Sequence, residues 1–246
     1  MANNFKIRAL SSLFLLILLF SLYQFKLSHF IFLIFFGLVY FELFKNKIIN
    51  IYWTIVLTLV YCSFLNYDLF FYDLVISQKI LILFVFIIIT FASFIKKTIR
   101  YSKIILNLFI VISFILFTLL YIHNFNLFFI VILFTSINDI IAYVFGSYFK
   151  GPKIIPSISP NKTWSGTISS YLISVLLLTY LFDFNNFYNF LLPITFFLGD
   201  IYFSNFKRIF NIKDYGQLIK GHGGFLDRFD SSFLSLSFSF IFFSFI

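Results

Sequence analysis

The stretch "GHGGFLDRFDS", residues 221–231, gathers His222, two adjacent glycines, Asp227, Arg228 and Asp230 in a chain that elsewhere spells mostly Phe, Ile and Leu. Two further stretches are polar in the same way, "INDIIAY" (137–143) and "SPNKTWSG" (159–166), and "GDIYFSNFKRIFNIKDYG" (199–216) leads into the first. Carboxylates interleaved with Lys207, Arg208, Lys213 and Arg228 suit a metal-bound polyphosphate. Aspartate oxygens hold a hard cation such as Mg2+, while Lys and Arg grip phosphate oxygens. Asp227 and Asp230 are spaced i, i+3, which puts them on one face of a helix that starts near them. Gly221, Gly223 and Gly224 permit close backbone approach and positive φ just before that helix, and a helix start offers free N–H groups to an anion.

Other chemistries fit less well. A hydrolase built on Ser204, His222 and an aspartate lacks a G-x-S-x-G elbow, and its cationic surroundings suit phosphate better than a neutral ester. No G-x-x-x-x-G-K-[ST] stretch exists, so the site is not a P-loop. Zinc held by His222 and aspartates lacks the usual ligand spacing. His29 and His123 lie at the ends of apolar stretches and read as interfacial. Cys62 is the single cysteine, which makes neither an intramolecular disulfide nor a cysteine cluster.

These residues must be positioned by elements that do not live in water. The chain has 246 residues, 61% hydrophobic and 11% charged, against roughly half apolar and a quarter charged in a soluble domain. The excess of Phe beside Ile, Lys, Asn and Tyr follows A/T-rich codons and reads as genomic bias rather than an aromatic binding function. Nine apolar stretches are long enough to be spanning helices: about 9–25, 28–44, 48–66, 79–95, 104–122, 125–148, 166–182, 187–206 and 231–246. No small-residue cleavage site follows the first, so it reads as a retained span. The expected fold is therefore all-α, a polytopic integral membrane protein of about nine transmembrane helices.

The +9 net charge is distributed by side rather than clustered for nucleic acid. With nine spans, the N-terminus and every second loop carry Lys6 and Arg8; Lys45 and Lys47; Lys96, Lys97, Arg100 and Lys103; Lys150, Lys153 and Lys162; and Lys207, Arg208, Lys213, Lys220 and Arg228. The opposite side keeps only Lys26 and Lys79. Positive loops stay in the cytoplasm, so the N-terminus and the polar motifs are expected there, in the cell membrane. Eight of the nine glycines and all four prolines fall between Gly146 and Gly224. The chain thus divides into N-terminal hydrophobic spans, 1–124, and a C-terminal half, 125–246, that holds the site, as one membrane unit. Asp139 and Asp200 interrupt apolar stretches, where a charge costs about 3 kcal/mol or more and so faces a cavity or a partner. Glu42, Asp68, Asp73 and Asp183, at span ends or in short loops, read as solvated.

Taken in order, these residues resemble the integral-membrane phosphatidate cytidylyltransferases, also called CDP-diacylglycerol synthases. That family's signature, S-x-x-K-R, then K-D-x-G, then H-G-G-x-x-D-R-x-D, is met by Ser204, Lys207 and Arg208; Lys213, Asp214 and Gly216; and His222, Gly223, Gly224, Asp227, Arg228 and Asp230. "SPNKTW" and "NDIIAY" are similar to its S-P-x-K-T-W and N-D-x-x-A-Y stretches, so the resemblance covers about the last 110 residues. Three positions depart: Phe203 and Ser165 stand where the family has acids, and Lys220 where it has proline.

The resemblance implies transfer of CMP from CTP to phosphatidate in phospholipid biosynthesis. It implies Mg2+ or another divalent cation, with room for a second auxiliary cation, held by Asp200 and Asp227 with Asp230 and Asp214 next. Lys207, Arg208, Arg228 and Lys162 would hold phosphates with the Ser159 loop, and His222 would orient a phosphate or a ligand. Asn138, Asp139, Thr163, Ser204, Lys213, Gly223 and Gly224 complete the substrate-binding set. The implied partners are CTP, phosphatidate and membrane lipids, with a homodimer left open and no nucleic acid. Two competitors remain: a CTP-using polyprenol or phytol kinase, which would make a phosphorylated lipid, and a transporter with Asp139 and Asp200 as its ion path, which would show an inverted repeat.

Overall fold

Uninterrupted apolar runs become helices because a backbone away from water must satisfy its own hydrogen bonds. The computed structural model describes residues 28–65, 84–90, 92, 99–216 and 224–245. Its long helices are α1 (Ser28–Lys45), α2 (Ile51–Leu65), α3 (Ile99–His123), α4 (Phe125–Phe149), α5 (Trp164–Leu181), α6 (Asn186–Ile209) and α7 (Leu226–Phe245). Residues 84–90 are also helical. Among the described residues there is no strand, only an isolated bridge between Lys153 and Thr163. The all-α expectation holds, and α1 to α7 each fall on an expected span. The expected span 9–25 lies outside the described residues, so eight of the nine stretches are seen as helix at least in part.

Helices α3, α4 and α5 are long and apolar enough to cross a membrane. At 1.5 Å per residue the 25 residues of α3 and of α4 reach about 37 Å, beyond the ~30 Å of a hydrocarbon core. Asn124 begins α4 by accepting the Leu127 N–H at 3.0 Å, and Lys150 ends it in the left-handed region at φ 45°. Thr163 begins α5, its hydroxyl accepting the Gly166 N–H at 3.3 Å.

The chain forms two compact units: the described parts of 1–73 with 210–229, and those of 74–209 with 230–246. The division at residue 124 read from the sequence concerns where polar residues lie, a different property. In the first unit α1 packs against α2, and Phe35 lies against Phe225 and Phe229, with ring centres 4.9 and 6.1 Å away. In the second, α4 packs along α5 and both meet α6, with α3 against α4 and α6. Phe233 of α7 sits among Phe109, Phe114, Phe117 and Phe203, all buried.

The approach of α4 to α5 depends on glycine. A Cβ on Gly166 would lie 2.5 Å from the Ala142 carbonyl oxygen, which is backbone and cannot rotate away. Gly166→Ala should therefore push the two helices apart and destabilise the chain by about 1–3 kcal/mol. Gly37→Ala, where a Cβ meets nothing within 4 Å, is the control. Thermal unfolding in detergent should show a lower midpoint for Gly166→Ala alone; equal midpoints would mean that the α4–α5 contact is loose.

Candidate active site

In the second unit the stretches at 137–143 and 159–166 converge with Asp200. A cavity of about 280 Å³ is lined by Asn138, Asp139, Ala142 and Tyr143 of α4, by Ser159, Asn161, Lys162 and Thr163 of the loop before α5, by Gly166, Thr167 and Ser170 of α5, and by Phe197 and Asp200 of α6. The loop that delivers Lys162 is itself ordered by hydrogen bonds. Ile154 N–H donates to the Lys162 carbonyl at 3.1 Å, Trp164 N–H to the Pro152 carbonyl at 3.0 Å, and Ser159 N–H to the Ile155 carbonyl at 2.9 Å. Arg208, read from the sequence as a phosphate holder, donates from Nε to the Ile158 carbonyl at 2.9 Å and so braces this loop from α6.

Within the cavity, Lys162 Nζ is ion-paired with Asp200 Oδ2 and lies 5.2 Å from the centre of the Phe197 ring. Ser204, one turn along α6, donates to Asp200 Oδ1 at 3.1 Å. Asn138 is buried, and its Oδ1 accepts from Ser174 Oγ at 3.3 Å. Asp230 is 9% exposed and lies 3.9 Å from Lys207 Nζ. Asp200 and Asp139 act on it as like charges against that lysine. Ser231 links the group, its hydroxyl donating to Asp139 Oδ2 at 3.4 Å and its N–H to Asp230 Oδ1 at 2.8 Å. The approach is set by Gly199, where a Cβ would sit 3.0 Å from the carbonyl oxygens of Asp230 and Ser231. Asp139, Asp200 and Lys162 thus line this cavity, and the Asp230–Lys207 pair is linked to it through Ser231.

In the first unit Asp227 Oδ2 accepts from Gly224 N–H at 3.0 Å and from Tyr215 N–H at 2.8 Å. Lys213, Asp214 and Arg228 are exposed. His222 and Gly223 lie outside the described residues, as do Lys220, Asp68 and Asp73. Glu42 corrects the reading from sequence: it is not solvated but 1% exposed, its carboxylate accepting from Phe225 N–H at 2.7 Å and from Leu226 N–H at 3.0 Å. The donors expected to receive a substrate anion at the start of α7 therefore receive the protein's own carboxylates. No local signal pointed to Glu42, because its partners lie more than 180 residues along the chain.

Does this arrangement fit a divalent cation? The donors Asp139, Asp200 and Asp230 are hard oxygens, and three like charges near one another favour a cation between them. Among the described residues no group of three or more His, Cys, Asp or Glu closes into a ready-made metal cluster. The chemistry fits a cation that arrives with a polyphosphate and is completed by its oxygens, rather than one caged by protein alone.

Two of the departures have a visible role. Phe203 is fully buried in the aromatic core, its ring 5.8 Å from Phe109 and 5.1 Å from Phe233. Ser165 accepts from Gly151 N–H at 3.2 Å and lies 3.2 Å from Thr163 Oγ1, tying the two ends of the loop. Both positions serve the scaffold here.

A model of the cytidylyltransferase family matches residues 6–246, nearly the whole chain. The chain belongs to that family. Among its relatives, the phosphatidate cytidylyltransferase of Rickettsia typhi is 45% identical over 113 residues, covering 39% of this chain and 49% of the relative. That of Rickettsia bellii is 44% identical over 113 residues, with 39% and 48% covered, and that of Staphylococcus aureus strain COL is 42% identical over 104 residues, with 39% and 40% covered. The chain spans about half the length of the relatives it matches, or less.

In this cytidylyltransferase-family chain the Lys162–Asp200 pair ties the loop to α6. The side chains are 24% and 23% exposed, so solvent weakens the pair without removing it. A double-mutant cycle with Lys162→Met and Asp200→Asn should give a coupling of about 1 kcal/mol in unfolding free energy. Strict additivity of the two single substitutions would show that the pair does not hold the loop.

Proposed function

We propose that this chain is a phosphatidate cytidylyltransferase, taking CMP from CTP to phosphatidate in a membrane and facing the cytoplasm. One observation carries the reading: residues of the motifs at 137–143 and 159–166 and Asp200 line one cavity, where Asp139 and Asp200 are joined by Lys162, with the Asp230–Lys207 pair linked to it through Ser231. Charge of both signs around a polar space is what a site needs to receive an anionic polyphosphate and its counter-cation. The family match and the relatives' names support the same reading. The cytoplasmic orientation is supported by the one-sided distribution of Lys and Arg.

In this reaction a phosphate oxygen of phosphatidate attacks the α-phosphorus of CTP. A new P–O bond forms, the bond from that phosphorus to the α,β-bridging oxygen breaks, and pyrophosphate leaves with the electron pair. The nucleophile is already anionic at neutral pH, so it needs little help from a base. The obstacle is the approach of two anions, and catalysis is chiefly charge neutralisation and in-line positioning. Lys162 and Lys207, now paired with Asp200 and Asp230, are the groups that neutralise phosphate oxygens, and the braced loop at 154–164 fixes where Lys162 can reach. A divalent cation such as Mg2+, assigned to Asp200 and Asp227 on the resemblance, would supply charge to the leaving pyrophosphate.

The decisive experiment gives the purified full chain labelled CTP and phosphatidate and weighs the product lipid. A CMP-lipid with release of pyrophosphate is expected; a phosphorylated lipid would replace this reading with a kinase, and no lipid product would overturn it. Turnover should vanish when tightly bound metal is stripped and chelator kept in excess, so full turnover under those conditions would remove the cation. Asp227→Asn keeps size and removes the charge, and should cost about 10²–10³ in turnover per monodisperse molecule, on the scale of one lost charge-stabilising contact. Near-normal turnover would make Asp227 a structural acid.

A further inference from the structure

We propose that Glu42 is a positioning residue, which fixes the start of α7 and thereby the carboxylate of Asp227 for the CMP transfer; the inference rests on the reaction proposed above. Glu42 lies in the last turn of α1, and its two oxygens each take one backbone donor of the segment that carries Asp227. Oε1 accepts from Phe225 N–H at 2.7 Å, and Oε2 from Leu226 N–H at 3.0 Å. The segment is shaped around this carboxylate. A Cβ on Gly216 would lie 2.4 Å from Oε1 and one on Gly224 2.7 Å from Oε2, so only glycine lets the backbone close on Glu42 from both sides.

The neighbouring residues extend the same grip. Asn46, one turn further on, donates to the Tyr215 carbonyl. Tyr215 N–H and Gly224 N–H in turn both donate to Asp227 Oδ2. Phe225 and Leu226, held by Glu42, lie between Gly224 and Asp227, so releasing them releases both the Gly224 donor and the Asp227 acceptor. Burying a carboxylate costs more than burying a hydroxyl, and the same N–H groups could be capped by a small serine or threonine. What the carboxylate adds is two directed, charge-assisted bonds to consecutive amides, which fix a rotation as well as a position. That is what an acid poised for chemistry requires of its support.

The test separates a positioning role from simple stapling. Hydrogen exchange is measured on the purified full chain, and kcat and KM for CTP on the wild type, Glu42→Gln and Glu42→Ala. The wild type should protect the Phe225 and Leu226 amides, and Glu42→Ala should exchange them at least about tenfold faster. Its kcat should fall at least about tenfold as Asp227 loses its geometry, while KM for CTP stays within about twofold. Glu42→Gln, which keeps the size and one good acceptor, should lie between, and it carries the comparison if the alanine variant does not fold. Unprotected amides in the wild type would overturn the proposal, as would a folded Glu42→Ala with faster exchange and unchanged kcat. Absence of CMP transfer in the wild type would instead overturn the proposed reaction.

Discussion

A charge in a chain that is 61% hydrophobic must find water, a cation or an opposite charge, and this requirement organises the second unit. Asp200 and Asp230 each take a lysine, Lys162 from the loop before α5 and Lys207 from α6. The first pair draws the loop onto α6, and Arg208 secures the same loop through the Ile158 carbonyl. The pairs are incomplete as neutralisation, because Asp139 and Asp200 still bear on Asp230 as like charges. A site left in that balance is poised for exchange. Under the proposed reaction an arriving polyphosphate competes with Asp200 and Asp230 for the lysines, and the cation it brings competes with the lysines for the aspartates. Neither charge need be abandoned at any stage, which matters where an unpaired charge costs several kcal/mol.

The scaffold around these pairs is built from small residues at crossings and aromatic residues behind them. Gly199 lets α6 approach the Asp230–Ser231 backbone, and Gly146 and Gly166 do the same between α4 and α5. Lipid gives helices little hydrophobic reason to associate, so close packing and hydrogen bonds across helices must supply it. The buried serines of α7 fit that account: Ser232 meets Thr135 at 3.1 Å, and Ser239 meets the Tyr188 hydroxyl at 2.8 Å. Phe203, at a position where an acid would be expected from the resemblance, belongs to the aromatic side of this scaffold. Any cation the site takes must therefore do without a carboxylate there.

Much of the architecture was legible because apolar length is a local property. Seven of the eight runs from 28 to 246 that predicted spans coincide with α1 to α7 apart from their ends, as where α6 continues to Ile209 because Lys207 and Arg208 can stay helical at its polar end. The run 79–95 is helical over 84–90. The convergence of "INDIIAY", "SPNKTWSG" and Asp200 was legible too, since polar residues interrupting apolar helices have few places to go. What could not be read were contacts between distant positions. The bond from Arg208 Nε to the Ile158 carbonyl, 50 residues away along the chain, is one such contact. Glu42 looked like a solvated acid at the end of a span, because nothing within a few residues of it distinguishes water from a backbone segment folded back over it.

The start of α7 shows why that distinction matters. A helix N-terminus presents unpaired N–H groups and the positive end of the helix dipole, an evident place for a phosphate. Here the Gly224, Phe225 and Leu226 donors are already committed to Asp227 and Glu42, and the Arg228 N–H to the Phe225 carbonyl. The start of the helix thus keeps two carboxylates in place. Under the proposed reaction phosphate recognition falls to side chains that can move, lysine above all, while Asp227 is held by backbone that cannot. That division of labour suits a reaction whose difficulty is bringing two anions together: the positive groups follow the substrates, and the negative ones define where a cation would sit.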